Sequence, residues 1–352
     1  MLIDPHVHLR DWNQADRETV YHGLAVAQRC GIVGLFEMPN TDPPLTSPET
    51  LRRRIALGDA AREQLRNEAT GDVFHGVYGG LTSDPGQIRD AVAAYRELFP
   101  RVVGFKLFAG HSTGNMGVIT VAEQLTVWQT LAEEGFTGVV AVHAEREDLL
   151  KPNLWDAEHP LSHQHARPAL AEIASVQTQL ALAEAVQYCG TIHIVHVTHP
   201  DTAVLIRDLR ETIPFQLSAA VTPAHILIPA SRGWKINPPI RRDHERQELW
   251  RHLVAGTFDW IESDHAPHTA AARAAGAAGL PGIPAFAYMA DFLKKTLPPE
   301  EWRQRTGMRV LEVFGIDPAV FPNASHEDGC SASDLRRLSQ EYDPDISAIL
   351  SL

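Results

Sequence analysis

Asp4-Pro5-His6-Val7-His8-Leu9-Arg10-Asp11 ends the first apolar run of the chain, and the fold is read outward from it. Successive side chains of a strand alternate faces, so His6 and His8 point to one side and can share a metal ion, with Arg10 expected on that side too. A His-x-His pair alone does not make a metal site. Its weight comes from further candidate ligands downstream, each of which ends its own apolar run.

Short runs rich in Val, Ile and Phe lie at roughly 2–8, 32–38, 73–79, 102–108, 138–143, 191–197, 214–221 and 257–263. Between them, helical patterns cover roughly 17–30, 48–67, 86–98, 120–134, 169–189, 200–211, 242–255 and 285–296. Eight alternations of this kind predict a closed (β/α)8 TIM barrel, an α/β fold with its site at the C-terminal ends of the strands. No Gly-x-Gly-x-x-Gly follows the first run, so the main signal for an open dinucleotide-binding sheet is missing. Ser47-Pro48 and Asp84-Pro85 read as helix starts, and Gly31, Gly135 and Gly190 as left-handed helix ends. The barrel is expected over 1–315, with Ala270 to Gly279 as a loop or short helix, and a short C-terminal extension over 316–352.

Composition narrows the function. With 44% hydrophobic and 21% charged residues the chain reads as an ordinary globular protein, and a net charge of −13 argues against nucleic acid or an anionic membrane as partner. Cys30, Cys189 and Cys330 are too widely spaced for a thiolate zinc knuckle or a disulfide framework, which fits a cytoplasmic location. No run approaches the ~20 apolar residues of a membrane span.

Polar groups stand at five of the eight strand ends: His6 and His8 at the first, Lys106 at the fourth, His143 at the fifth, His196 at the sixth and Asp264 at the eighth. An ammonium cannot ligate a metal. Carbamylation by carbon dioxide turns Lys106 into an anionic two-oxygen group that can bridge two ions. His6, His8 and Asp264 would then hold one ion, and His143 and His196 the other. Water between two such ions is activated near neutral pH, with Asp264 placed to accept its proton and later return it to a departing nitrogen.

This set resembles the amidohydrolase superfamily with a carbamylated lysine. Within it, His8-Leu9-Arg10-Asp11, Met38-Pro39-Asn40-Thr41, Asn237-Pro238-Pro239-Ile240-Arg241 and Ser263-Asp264-His265-Ala266-Pro267-His268 resemble the dihydroorotases, over residues 4 to about 285. The resemblance implies reversible cyclisation of N-carbamoyl-L-aspartate to dihydroorotate, in pyrimidine synthesis, on one or two Zn2+ ions. It also implies that Arg10, Asn40, Asn237 and His268 hold the substrate, and that Thr113 lies on a loop closing over it. A homodimer and an association with aspartate transcarbamoylase are the expected quaternary options. The chain departs from the family at Ala144, where a cysteine is common, and at Ala224, where a histidine is frequent. Two other readings stand beside this one. A hydrolase of another cyclic amide, such as a hydantoin, dihydropyrimidine or allantoin, would give Arg10 no carboxylate to bind, and a non-catalytic barrel subunit would be expected to lose ligands that this chain keeps.

Overall fold

The computed structural model describes residues 1–68, 71–159, 161–322 and Arg337. Each apolar run is extended: β1 Leu2–Val7, β2 Ile32–Glu37, β3 Phe74–Gly80, β4 Val102–Phe108, β5 Val139–His143, β6 Thr191–Ile194, β7 Gln216–Val221 and β8 Trp260–Ile261. They pair in parallel in chain order, and a bridge between Val7 and His265 joins the first strand to the residues after the last. The result is the (β/α)8 barrel expected from the sequence.

Parallel neighbours need crossovers, and helices supply them. They are α1 Val20–Arg29, α2 Pro48–Asn67, α3 Pro85–Leu98, α4 Val121–Glu133, α5 Ser162–Ala166, α6 Ala169–Ala185, α7 Pro200–Leu209, α8 Pro223–Leu227, α9 Asp243–Val254, α10 Ala270–Ala274, α11 Ile283–Thr296, α12 Pro299–Arg303 and α13 Arg309–Phe314. Ser47 and Asp84 cap α2 and α3 through their side chains, each with Pro as the first helical residue. No helix among the described residues is long and apolar enough to cross a membrane.

Strands covered on both faces read as continuous apolar runs, and β2 to β5 are buried from end to end. Outside the barrel, Leu35, Phe105 and Val140 pack with helical residues such as Leu24, Ile88, Trp128 and Leu180. A second cluster joins Ile3, Tyr78, Val139 and Trp260 to Val310, Leu311 and Phe314 of α13. Ile316 and Phe321 belong to it as well, and Phe321 lies 4.5 Å from Phe74 between ring centroids. The rest of the expected C-terminal extension, from 323 on, lies outside the described residues apart from Arg337.

Three expectations need correction. The eighth strand is two residues long, because its partner β7 ends at Thr222-Pro223, where a prolyl nitrogen with no hydrogen starts α8. The sixth stops at Ile194, because His196 takes a left-handed conformation with φ 38°. Gly31 and Gly135 are left-handed as expected, but α6 ends earlier than predicted and Gln187 (φ 57°) makes that turn. Gly190 serves close packing instead: a Cβ there would lie 2.3 Å from the Tyr188 hydroxyl.

Close approach also decides Gly104, which pairs with Val139 across β4 and β5 and whose added Cβ would stand 2.5 Å from the Val139 carbonyl oxygen. Backbone cannot yield as a side-chain tip can. Gly104→Ala should therefore lower stability by about 1–3 kcal/mol in equilibrium urea unfolding, the usual penalty for overpacking a core. An unchanged midpoint would show that the two strands tolerate a wider spacing.

Candidate active site

The strand ends converge on one small cavity of about 20 Å3, lined by His6, His8, Arg10, Asn40, Lys106, Thr113, His143, His196, Asn237 and Asp264 together with Phe108, Ser112, Ala266, Ala278 and Gly279. Of the residues singled out from the sequence only His268 stands behind this lining, with its Nε2 3.2 Å from Arg10 Nη2. A larger apolar groove of about 680 Å3 beside Trp250, Tyr288 and Phe292 carries none of these groups.

Hydrogen bonds fix which nitrogen of each ring faces inward. His6 Nδ1 donates to Glu262 Oε1 (3.1 Å) and His8 Nδ1 to Asn40 Oδ1 (2.6 Å), which turns Nε2 of each ring inward. Both Nε2 atoms lie against Asp264 Oδ1, at 3.3 Å for His6 and 3.1 Å for His8. Likewise His143 Nε2 donates to Glu145 Oε2 (2.8 Å) and turns Nδ1 toward His196 Nε2, 3.1 Å away. Acceptor atoms packed this closely repel each other unless a proton or a metal cation lies between them.

Among the described side chains that line the cavity, two buried atoms have no hydrogen-bond partner: Lys106 Nζ and His196 Nδ1. The ligand atoms of His6, His8 and Asp264 lie within 4.8 Å of one another, and the His6 ring centroid is 5.4 Å from those of both His8 and His196. Nitrogen and carboxylate donors with unmet valences, gathered around one point, fit a divalent ion of the zinc type.

Electrostatics agree with that fit. Burial pushes His8 down to about 4 and lowers His143 and His196 as well, which favours the neutral rings that a metal ion would require. Burial likewise brings the Lys106 ammonium down to about 7 against the pull of Glu262 and Asp264, which makes its neutral amine available near that pH. For Asp264 burial works against ionisation, yet the nearby His6, His8 and Lys106 hold it below the usual carboxylate range.

The sequence expectation for Arg10 holds in place but not in route. After Val7 the backbone leaves the strand, and Arg10, Asp11 and Trp12 are all left-handed, with φ of 58°, 65° and 50°. Strand alternation therefore does not place Arg10; a turn does. Burial lowers its guanidinium to about 10, still a cation at neutral pH, and it is 2% exposed. Its Nε donates to the Pro267 carbonyl (3.2 Å), and burial beside Arg10 holds His268 near 3 and so neutral.

Thr113 closes the mouth. Asn40 Nδ2 donates to the Thr113 carbonyl (3.1 Å), and the Thr113 hydroxyl to that of Ala278 (3.4 Å). A space of about 20 Å3 holds about one water molecule, less than a ring needs. Asn237 Oδ1 accepts from His163 Nε2 (3.0 Å).

Sequence reasoning passed over Glu262 and Glu145. Glu262 is fully buried and holds His6, His193 (3.2 Å) and the His196 amide (2.7 Å), while Glu145 is anchored by Arg167. Each stands two residues from a proposed ligand, Asp264 and His143, so period two was the signal available.

A closed parallel barrel with this crown of donors on its C-terminal rim is an amidohydrolase barrel. No family model matches the chain. Among curated proteins it is 31% identical over 274 residues to a dihydroorotase of Thermococcus kodakarensis, covering 76% of this chain and 56% of that protein. A dihydroorotase of Lactiplantibacillus plantarum is 29% identical over 334 residues, 90% of this chain and 71% of its own length. The chain thus spans little more than half the length of several curated relatives it matches. Among solved structures, an L-hydantoinase from Arthrobacter aurescens superposes with a TM-score of 0.75 at 22% identity, over 90% of this chain and 71% of that one. A Saccharomyces cerevisiae dihydroorotase in complex with 5-fluoroorotic acid gives 0.68 at 19%, over 91% and 85%. Over three quarters of its length the chain is similar to curated dihydroorotases, and its fold is that of the amidohydrolase barrels.

Glu262 offers a test of the metal centre that leaves the ligands in place. Glu262→Gln still fills the space but orients His6 with a neutral oxygen, so metal affinity should fall by roughly 10- to 100-fold in a chelator competition. Unaltered affinity would mean that His6 is oriented by its backbone alone.

Proposed function

We propose that this chain is a dihydroorotase, interconverting N-carbamoyl-L-aspartate and dihydroorotate in the cytoplasm on one or two zinc ions bridged by carbamylated Lys106. The observation that carries this reading is Arg10. It is a buried cation that opens onto the metal cavity, and its side chain meets only neutral groups, Pro267 and His268, among the described residues. A buried charge without a counter-ion is unfavourable, so the site is built for an anion. Dihydroorotate carries a ring carboxylate; hydantoin and dihydrouracil do not.

When bound, the metal supplies an activated water and draws electron density from the amide carbonyl. His6, His8 and Asp264 would hold one ion, His143 and His196 the other, with Lys106 between. The buried Lys106 amine, neutral in part near pH 7, is the form that would attack carbon dioxide, losing a proton as the carbamate forms. Arg10 pairs with the ring carboxylate through its planar fork, while Asn40, Asn237 and His268 offer amide and ring groups to the ureide edge. Asp264, ionised at neutral pH, takes the proton of the attacking water. As the ring C–N bond breaks, it returns that proton to the leaving nitrogen, and the carbonyl carbon becomes the new carboxylate. Thr113, drawn across the mouth, keeps bulk water out while this happens.

Asp264→Asn keeps the shape and removes the base, so kcat should drop by roughly 100-fold or more in a dihydroorotate hydrolysis assay with protein folded and metal counted. A loss of less than about tenfold would move the base elsewhere.

Arg10→Met tests the substrate. Without the charge-assisted contact, kcat/KM for dihydroorotate should fall by roughly 30- to 1,000-fold, mostly through KM, while the feeble turnover of dihydrouracil stays as it was. Native preference for dihydrouracil or hydantoin would instead favour another cyclic amidohydrolase.

A further inference from the structure

Three successive left-handed residues with side chains, Arg10 to Trp12, form a backbone that L-amino acids avoid, so something must hold it. The far half of the turn is tied by Asp11, whose carboxylate accepts from the Trp12 amide (2.7 Å) and the Val20 amide (3.0 Å). The near half is tied from another element. The Arg10 carbonyl accepts from Nη2 of Arg54, a residue of α2.

Arg54 is out of place on its helix. The inward stripe of α2 reads Leu51, Arg54, Gly58, Ala61 and Leu65, so a guanidinium occupies a position whose neighbours are apolar or small. It is completely buried, as are its partners Glu37 and His75. Glu37, the last residue of β2, accepts from Arg54 Nε (2.8 Å) and Nη2 and from His75 Nε2 (2.9 Å). The Trp12 ring lies over the guanidinium, 4.8 Å from centroid to Cζ. Gly58 lets the helix come this close, since a Cβ there would meet His75 Nδ1 at 2.0 Å. The guanidinium therefore links a strand end of the barrel to the peptide that carries the Arg10 side chain.

We propose that Arg54, clamped by Glu37, is a positioning residue that fixes the Arg10 turn and thereby sets how tightly the enzyme holds the carboxylate of its substrate. The inference rests on the reading of Arg10 as the carboxylate ligand given above. Arg54 does not reach the cavity and touches neither substrate nor metal ligands. Its effect passes through the Arg10 peptide, which makes it separable from catalysis: binding weakens while the chemical step keeps its rate.

Removing Arg54 alone strands the Glu37 charge in the interior, so Glu37→Gln/Arg54→Met, which leaves no unpaired charge, is measured beside Arg54→Met. In the metal-loaded enzyme, the paired variant should raise KM for dihydroorotate roughly 10-fold or more, with kcat within about threefold and metal content unchanged. The same replacement made on Arg10→Met should change kcat/KM by less than about twofold, since the group it positions is gone. Multiplying losses in the two backgrounds, or an unchanged KM with Arg10→Met impaired, would overturn the positioning proposal and leave the assigned reaction standing. An Arg10→Met enzyme with normal kcat/KM on dihydroorotate would overturn both.

Discussion

Ligand atoms with free lone pairs, held face to face, are the constraint around which this molecule is built. His6 Nε2 and His8 Nε2 both press on one oxygen of Asp264, and His143 Nδ1 meets His196 Nε2, all in the buried interior. Such an arrangement is stable when a cation sits among the donors, and the second row of contacts exists to keep it that way. Glu262, Glu145 and Asn40 each accept a hydrogen bond from the far nitrogen of a ring. Each thereby decides which nitrogen carries the lone pair.

The barrel supplies the rigidity that this requires. Among the described residues, five of the six side-chain-bearing positions with positive φ are Arg10, Asp11, Trp12, His196 and Asp264, all at the site or in the turn that leads into it. Strained backbone of this kind persists only where the surroundings over-determine it. Here the surroundings are eight hydrogen-bonded strands, a helical layer outside and the plug of α13 beneath.

Relatives by sequence and neighbours by shape point to different substrates. The curated relatives described above are dihydroorotases, whereas several structural neighbours are hydantoinases. There is no conflict, because a fold holds a metal-assisted amide cleavage without choosing the amide. Choice lies in the groups that surround the ring, and in the proposed reading a buried guanidinium whose hydrogen bonds among the described residues go only to Pro267 and His268 is the group that would distinguish an acidic substrate from a neutral one.

Much of this was legible in the chain alone. Alternation of apolar runs and helical patterns determined the barrel, and the polar residues ending five of the eight runs marked the rim, because both follow from local periodicity that survives folding. Ser47 and Asp84 marked their helices for the same reason. What the sequence could not determine depends on distant partners. Pro223 shortens β8 from across the sheet, and Arg10 reaches the cavity by a left-handed turn instead of strand alternation. Glu262 chooses the nitrogen of His6 across 256 residues, and Arg54 reaches the Arg10 carbonyl across 44. Spacing along the chain states which side chains share a face; only the closed barrel decides which atoms meet, since hydrogen bonds of this length are set by where whole elements pack.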